Sequence, residues 1–209
     1  MKTVEELYDG AENNWYLEED EEGQVSGEKF DYHLLWGNAK IVFIKAGAGG
    51  SARGYKDKYV RMAERIHERL GATVICASNP MFPICDAPDA TEIYRVASEL
   101  GVTSFDLYLV GVSDGAYQNL KLAKQFTNTV QWMGINASYI DARDMEEKLK
   151  ALPDVKKTLV YGDCDDDYDE VSACQFSKIA GVECVTIEGA DHQFTDMLDE
   201  FIALADLLA

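Results

Sequence analysis

Positive charge is scarce in this chain of 209 residues: 19 Lys and Arg stand against 38 Asp and Glu, a net charge of −19. Affinity for nucleic acid comes largely from cationic side chains that displace counterions, so a field of this sign repels phosphate backbones and anionic lipid surfaces. Neither nucleic acid nor membrane is an expected partner, and the acid excess reads as solubility. No apolar run approaches the ~18–20 residues a membrane span needs. The opening MKTVEELYDGAENNW lacks the basic and apolar regions of a secretory signal, which points to the cytoplasm. The five cysteines, Cys76, Cys85, Cys164, Cys174 and Cys184, are odd in number and lack C-x-x-C spacing. That suggests neither a zinc site nor a disulfide framework and leaves buried free thiols as the expectation. With four prolines and neither a linker nor an internal repeat, one domain spans 1–209.

What is present is a run of compact β-like segments. Residues 15–17 and 30–36 flank the acid run of 18–22, which reads as a solvated turn, so residues 1–36 are expected to supply antiparallel edge strands. Residues 37–209 then form the core. Six apolar runs follow: AKIVFIKA from Ala39, ATVICA from Ala72, DLYLVG from Asp106, VQWMGI from Val130, TLVYG from Thr158 and ECVTIEG from Glu183. Continuous runs without alternation suit strands buried on both faces.

Helical periods separate them. Val60, Ala63, Ile66 and Leu70 share a face that ends at Gly71, and Ile93, Val96 and Leu100 share one that ends at Gly101. A piece from Asp144 to Leu149 is helical, and Met197, Phe201, Leu204 and Leu208 mark a closing helix within 194–208. Alternation of strand and helix predicts a three-layer α/β fold, with a mainly parallel sheet covered on both faces. The 22 residues from Asn136 to Lys157 leave no room for a lid domain.

The third run leads into Gly111-Val112-Ser113-Asp114-Gly115 and then into a helical pattern. A G-x-S-x-G between strand and helix places the serine in a sharp, strained turn, with glycines that let the surrounding backbone close in. With Gly and Ser each near ~7% of residues, the accidental odds are roughly one in ten to twenty, so context must decide. The fifth run ends in Gly162-Asp163-Cys164-Asp165, and the sixth is followed by Gly189-Ala190-Asp191-His192. Serine, carboxylate and imidazole thus follow one another in order, each beyond the C-terminal end of a buried strand, where open α/β sheets place their sites.

From about Phe30 to the end, these motifs make the sequence resemble the α/β-hydrolase family. The resemblance implies a small esterase-like serine hydrolase that acts on a small soluble acyl substrate and needs no cofactor or metal. In it Ser113 would be the nucleophile, Asp165 the triad acid and His192 the general base. Asp163 is the alternative acid; Asp165 is preferred because a three-residue step from Gly162 is the family's usual one. A serine hydroxyl is a poor nucleophile at neutral pH, so an imidazole must take its proton and a carboxylate must fix the tautomer. The other two histidines, His33 and His67, read as structural or surface residues.

The implied oxyanion donors are the backbone N–H groups of Asp114, at a helix N-terminus, and of Ala48, in the Gly-rich turn 46–51. The family commonly has His-Gly-x-Gly there, and this chain departs from it with Ala46 in place of the histidine. The Asp114 carboxylate should point away from the pocket, and Arg53 could pair with it or bind a substrate anion, although a solvated surface side chain is the simpler reading. Met81, Phe82, Tyr117 and Tyr139, with Ile140, are the expected pocket walls.

Two other motifs compete. Gly47 to Ala52 also fits G-x-G-x-x-A, the dinucleotide fingerprint, but the next strand ends in ASNP instead of the acid that would hold a ribose. Asp163, Asp165, Asp167 and Asp169 alternate like a calcium loop, yet Tyr168 stands where that loop needs glycine and Cys174 where it needs glutamate. A binding or scaffold protein with this fold and no catalysis is the remaining alternative.

Overall fold

All six apolar runs are strands, and in the inner ones the reason is visible in their burial. Ile41, Val42, Phe43 and Ile44 are fully buried, as are Val74, Ile75, Leu109 and Val110, so branched side chains fill both faces of the sheet. The computed structural model describes residues 14–19, 25–79, 89–138, 142–167 and 170–209. In chain order the strands are β1 (Asn14–Glu19), β2 (Val25–Phe30), β3 (Tyr32–Leu35), β4 (Asn38–Lys45), β5 (Ala72–Ala77), β6 (Asp106–Val112), β7 (Thr129–Ile135), β8 (Lys156–Gly162) and β9 (Val182–Ile187). The helices are α1 (Lys58–Leu70), α2 (Asp89–Glu99), α3 (Asp114–Leu122), α4 (Ala142–Lys150), α5 (Glu170–Phe176) and α6 (Leu198–Ala203).

Seven strands form one sheet in the order β3-β5-β4-β6-β7-β8-β9, parallel except for β3, which runs antiparallel beside β5. β1 and β2 pair with each other in a separate two-stranded sheet. Two apolar clusters cover the faces: α2, α3, α4 and α5 supply one, α1 and α6 the other. Among the described residues, no element stands outside this sheet, its helices and the β1–β2 hairpin, and no helix is long and apolar enough to cross a membrane.

The chain leaves β4 for β5 on one side and returns to β6 on the other. The connections after β4 and β6 therefore leave for opposite faces of the sheet, toward α1 and α3, the arrangement at which open α/β sheets place their sites. A buried ion pair, Lys45 Nζ to Asp89 Oδ2 at 2.8 Å, ties the end of β4 to the start of α2.

Three expectations change. β9 is the sheet edge and only half-buried, so its run is not covered on both faces. The closing helix starts at Leu198 and passes into a 3-10 turn at Leu204, because Phe194 and Asp196 adopt left-handed backbone (φ 56° and 57°) that no helix accommodates. Of the cysteines, Cys76 is buried, Cys164 and Cys174 are exposed on a turn and a helix, and Cys184 is half-buried; Cys85 lies outside the described residues.

Candidate active site

β6 delivers Ser113 just beyond its C-terminal end in a conformation that a side chain rarely adopts, with φ 53° and ψ −125°. Such strain persists only where the surroundings enforce it. Here two glycines allow them to close in. A Cβ on Gly115 would lie 2.1 Å from the Ala46 carbonyl oxygen, and one on Gly111 would lie 2.3 Å from the Ala116 Cα. The Ser113 N–H donates to the Ile135 carbonyl at the end of β7 (2.9 Å), which holds the turn from the neighbouring strand.

The loop after β9 carries His192. Asp191 shapes it by accepting N–H bonds from Gln193 (3.0 Å) and Thr195 (2.8 Å). The Thr195 N–H, before the other donors, holds the Asp191 carboxyl below the usual carboxylate range. Phe194 anchors the loop in the core, buried against Phe201 at 5.4 Å between ring centroids. The Lys58 ammonium, whose pKa burial pulls down, donates to the Gln193 carbonyl at 3.3 Å.

The structure brings three of the expected residues together. His192 Nε2 lies 3.0 Å from Ser113 Oγ, and His192 Nδ1 lies 2.9 Å from Asp165 Oδ2 and 3.1 Å from Oδ1. The Asp165 side chain is 2% exposed and the imidazole 26%, so the carboxylate is enclosed while the ring stays partly open to solvent. The two candidate acids have different partners. Asp163 Oδ1 accepts from the Gly189 N–H at 2.6 Å and so clasps the β8 and β9 turns together, whereas Asp165 faces the imidazole.

The Gly-rich loop lies beside the serine: a Cβ on Gly47 would come within 3.2 Å of the Ser113 Cβ, and Ala48 follows in an exposed turn. Asp114 opens α3, where first-turn N–H groups lack helical partners. Its carboxylate accepts from Asn79 Nδ2 at 2.9 Å and from Gln118 Nε2 at 3.3 Å. Arg53 pairs with Asp57 at 2.6 Å and not with Asp114. Tyr117 gives its hydroxyl to Asp144 at 2.5 Å, so its ring serves the α3–α4 contact. Met81, Phe82, Tyr139 and Ile140 lie outside the described residues.

Ser138 escaped the sequence reading. Its Oγ is 3.0 Å from Ser113 Oγ, three residues beyond the end of β7. A serine after a strand carries no signal of its own, and only the strand order brings it here. Among the described residues, Asp165, Asp167 and His192 present possible metal-ligand atoms within 4.8 Å of one another. Since His192 Nδ1 already bonds Asp165, the cluster fits an oriented imidazole better than a cation cage.

No family profile and no curated protein matches the chain. Solved structures do. It is similar to Est1E from Butyrivibrio proteoclasticus, with 14% identity, a TM-score of 0.67 and coverage of 92% of this chain and 96% of that one. An alpha-beta serine hydrolase homologue from Coxiella burnetii gives 18%, 0.62, 94% and 98%, and the thioesterase domain of the curacin biosynthetic pathway gives 14%, 0.60, 94% and 98%. Similarity at these identities is one of fold, and it extends over nearly the whole length of both partners.

Proposed function

We propose that this chain, whose fold is that of the α/β hydrolases, is a serine hydrolase that cleaves an ester or related acyl bond of a small soluble substrate. The observation that supports it most is the continuous path from Asp165 Oδ2 through both nitrogens of His192 to Ser113 Oγ, at 2.9 Å and 3.0 Å. Hydrogen-bond distance on both sides of the ring is what proton transfer from a serine requires.

In this reading Ser113 Oγ attacks the acyl carbon as its proton passes to His192 Nε2. The carbonyl oxygen takes up the displaced electron pair, and the N–H groups of Asp114 and Ala48 stabilise that oxyanion. Asp165 keeps the Nδ1–H tautomer and offsets the charge of the imidazolium. As the carbonyl re-forms, the bond to the leaving group breaks, and that group departs with the Nε2 proton. Acyl-Ser113 remains. A water then gives its proton to His192 and its oxygen to the acyl carbon, and Ser113 recovers its proton as the acid leaves.

Hydrolysis of a short-chain p-nitrophenyl ester by the purified protein tests this. Replacement Ser113→Ala should lower kcat by ~10³-fold or more, because it removes the nucleophile from a unit that acts together. Equal turnover by the wild type and Ser113→Ala would overturn the proposal.

A further inference from the structure

The residue after β7, Asn136, is 2% exposed and sits in left-handed backbone (φ 44°), a region that asparagine tolerates better than most side chains. Its backbone N–H donates to the Val160 carbonyl of β8 at 2.8 Å. Its side chain joins the end of β8 to the loop after β9. Oδ1 accepts the N–H of Gly162, the last residue of β8, at 2.9 Å. Nδ2 donates to the carbonyls of Asp191 and His192, each at 3.1 Å. A backbone N–H can only donate and a carbonyl can only accept, so the carboxamide has a single workable orientation.

The neighbours of Asn136 extend the pattern. The Ile135 carbonyl holds the Ser113 N–H, and Ser138 Oγ meets Ser113 Oγ. The stretch 135–138 therefore touches the nucleophile's turn, the root of the acid's turn and the backbone of the imidazole. No mechanistic step so far uses Asn136, although both protons of its amide are spent on the loop that carries His192.

We propose that Asn136 is a positioning residue that fixes the His192 loop relative to Gly162 and Ser113, and so sets the imidazole between Asp165 and the serine hydroxyl. This inference rests on the hydrolase reading for its kinetic consequence but not for its geometric one. Asn136→Asp keeps the acceptor for Gly162 and loses both donors, while its carboxylate faces two carbonyl oxygens. Asn136→Gly removes the whole bracket and suits the left-handed backbone. A displacement of about 1 Å at a reacting group can cost ~100-fold in rate, and a loosened loop should cost less.

The experiment measures the rate of covalent labelling by a fluorophosphonate as a function of its concentration, together with the proton NMR signal of the His192 Nδ1–H. Both variants should remain folded. Their maximal labelling rate should fall ~10–100-fold, with the half-saturating concentration within about threefold of the wild type. The Nδ1–H signal should move or broaden. Folded variants that label at the wild-type rate with an unchanged Nδ1–H signal would overturn the proposal, as would a loss confined to the half-saturating concentration. Should the wild type itself fail to label at Ser113, the hydrolase reading falls, and the Nδ1–H signal still decides the positioning role. A measurement on the wild type keeps the test independent of how the variants fold. Both side-chain amide protons of Asn136 should exchange slowly, and exchange at the rate of a solvated amide would also overturn the clamp.

Discussion

Ser113 stands where β6, β4 and α3 press together, with a carbonyl oxygen only 2.1 Å from where a Cβ on Gly115 would sit. His192 and Asp165 stand on turns beyond β9 and β8, at a half-buried sheet edge. In the first region steric exclusion fixes the geometry, since there is room for one backbone path and none for a methyl group. In the second, polar groups fix it: Asp163 on the Gly189 N–H, Asp191 on those of Gln193 and Thr195, and Asn136 on two carbonyls. A serine held by packing should tolerate few substitutions around it, whereas a base held by hydrogen bonds should lose its placing through changes that leave the core intact.

The largest contrast is expected within the polar region. Asp165→Asn should lower kcat on an activated ester by ~10³–10⁴-fold, because the amide no longer fixes the tautomer or balances the imidazolium. Asp163→Asn, which still offers an oxygen to the Gly189 N–H, should cost ~10-fold or less. Similar losses in the two variants would erase the distinction between the catalytic and the structural carboxylate.

A smaller effect, on stability this time, probes the steric region. Gly115→Ala should destabilise the protein by about 3 kcal/mol in urea unfolding, since the methyl group meets the Lys45–Ala46 backbone and backbone can yield only by moving the strand end. An alanine variant as stable as the wild type would show that the elbow has slack.

The smallest effect separates the structural histidine from the site. His33, on β3, is buried, and burial first, then the Arg53 guanidinium, lowers its pKa from 6.5. The folded state therefore releases a proton that the unfolded chain keeps, so stability rises with pH in that window and falls as the pH drops below 6.5. The melting temperature should decline between pH 7.5 and 5.5 by more in the wild type than in His33→Gln; parallel declines would remove His33 as the cause.

The same contrast explains what the sequence could convey. Steric demands are local: Gly111, Ser113 and Gly115 lie within five positions, so the elbow reads as a motif, and the apolar runs announce their strands by composition. Apart from the Asp191 turn, the hydrogen-bonded placement joins residues far apart in the chain. Asn136 lies 55 and 56 residues before the carbonyls it holds, and nothing around it in the chain signals them. Ser138 is similar, brought to Ser113 only because β7 neighbours β6. β9 read as a buried strand because its residues are apolar enough for either position, and strand order alone makes it an edge. The left-handed Phe194 could not be foreseen from its residue type, which ordinarily avoids that conformation, and Asp196, though of a type that tolerates it, has no neighbouring signal that requires it.

The central claim is that one serine, activated through the imidazole, carries the chemistry, and peptide mapping after fluorophosphonate treatment tests it most directly. A single phosphonyl adduct on the peptide that contains Ser113, absent from His192→Gln, is the expected result. An adduct on another residue, or labelling of Ser113 undiminished without the imidazole, would contradict the account.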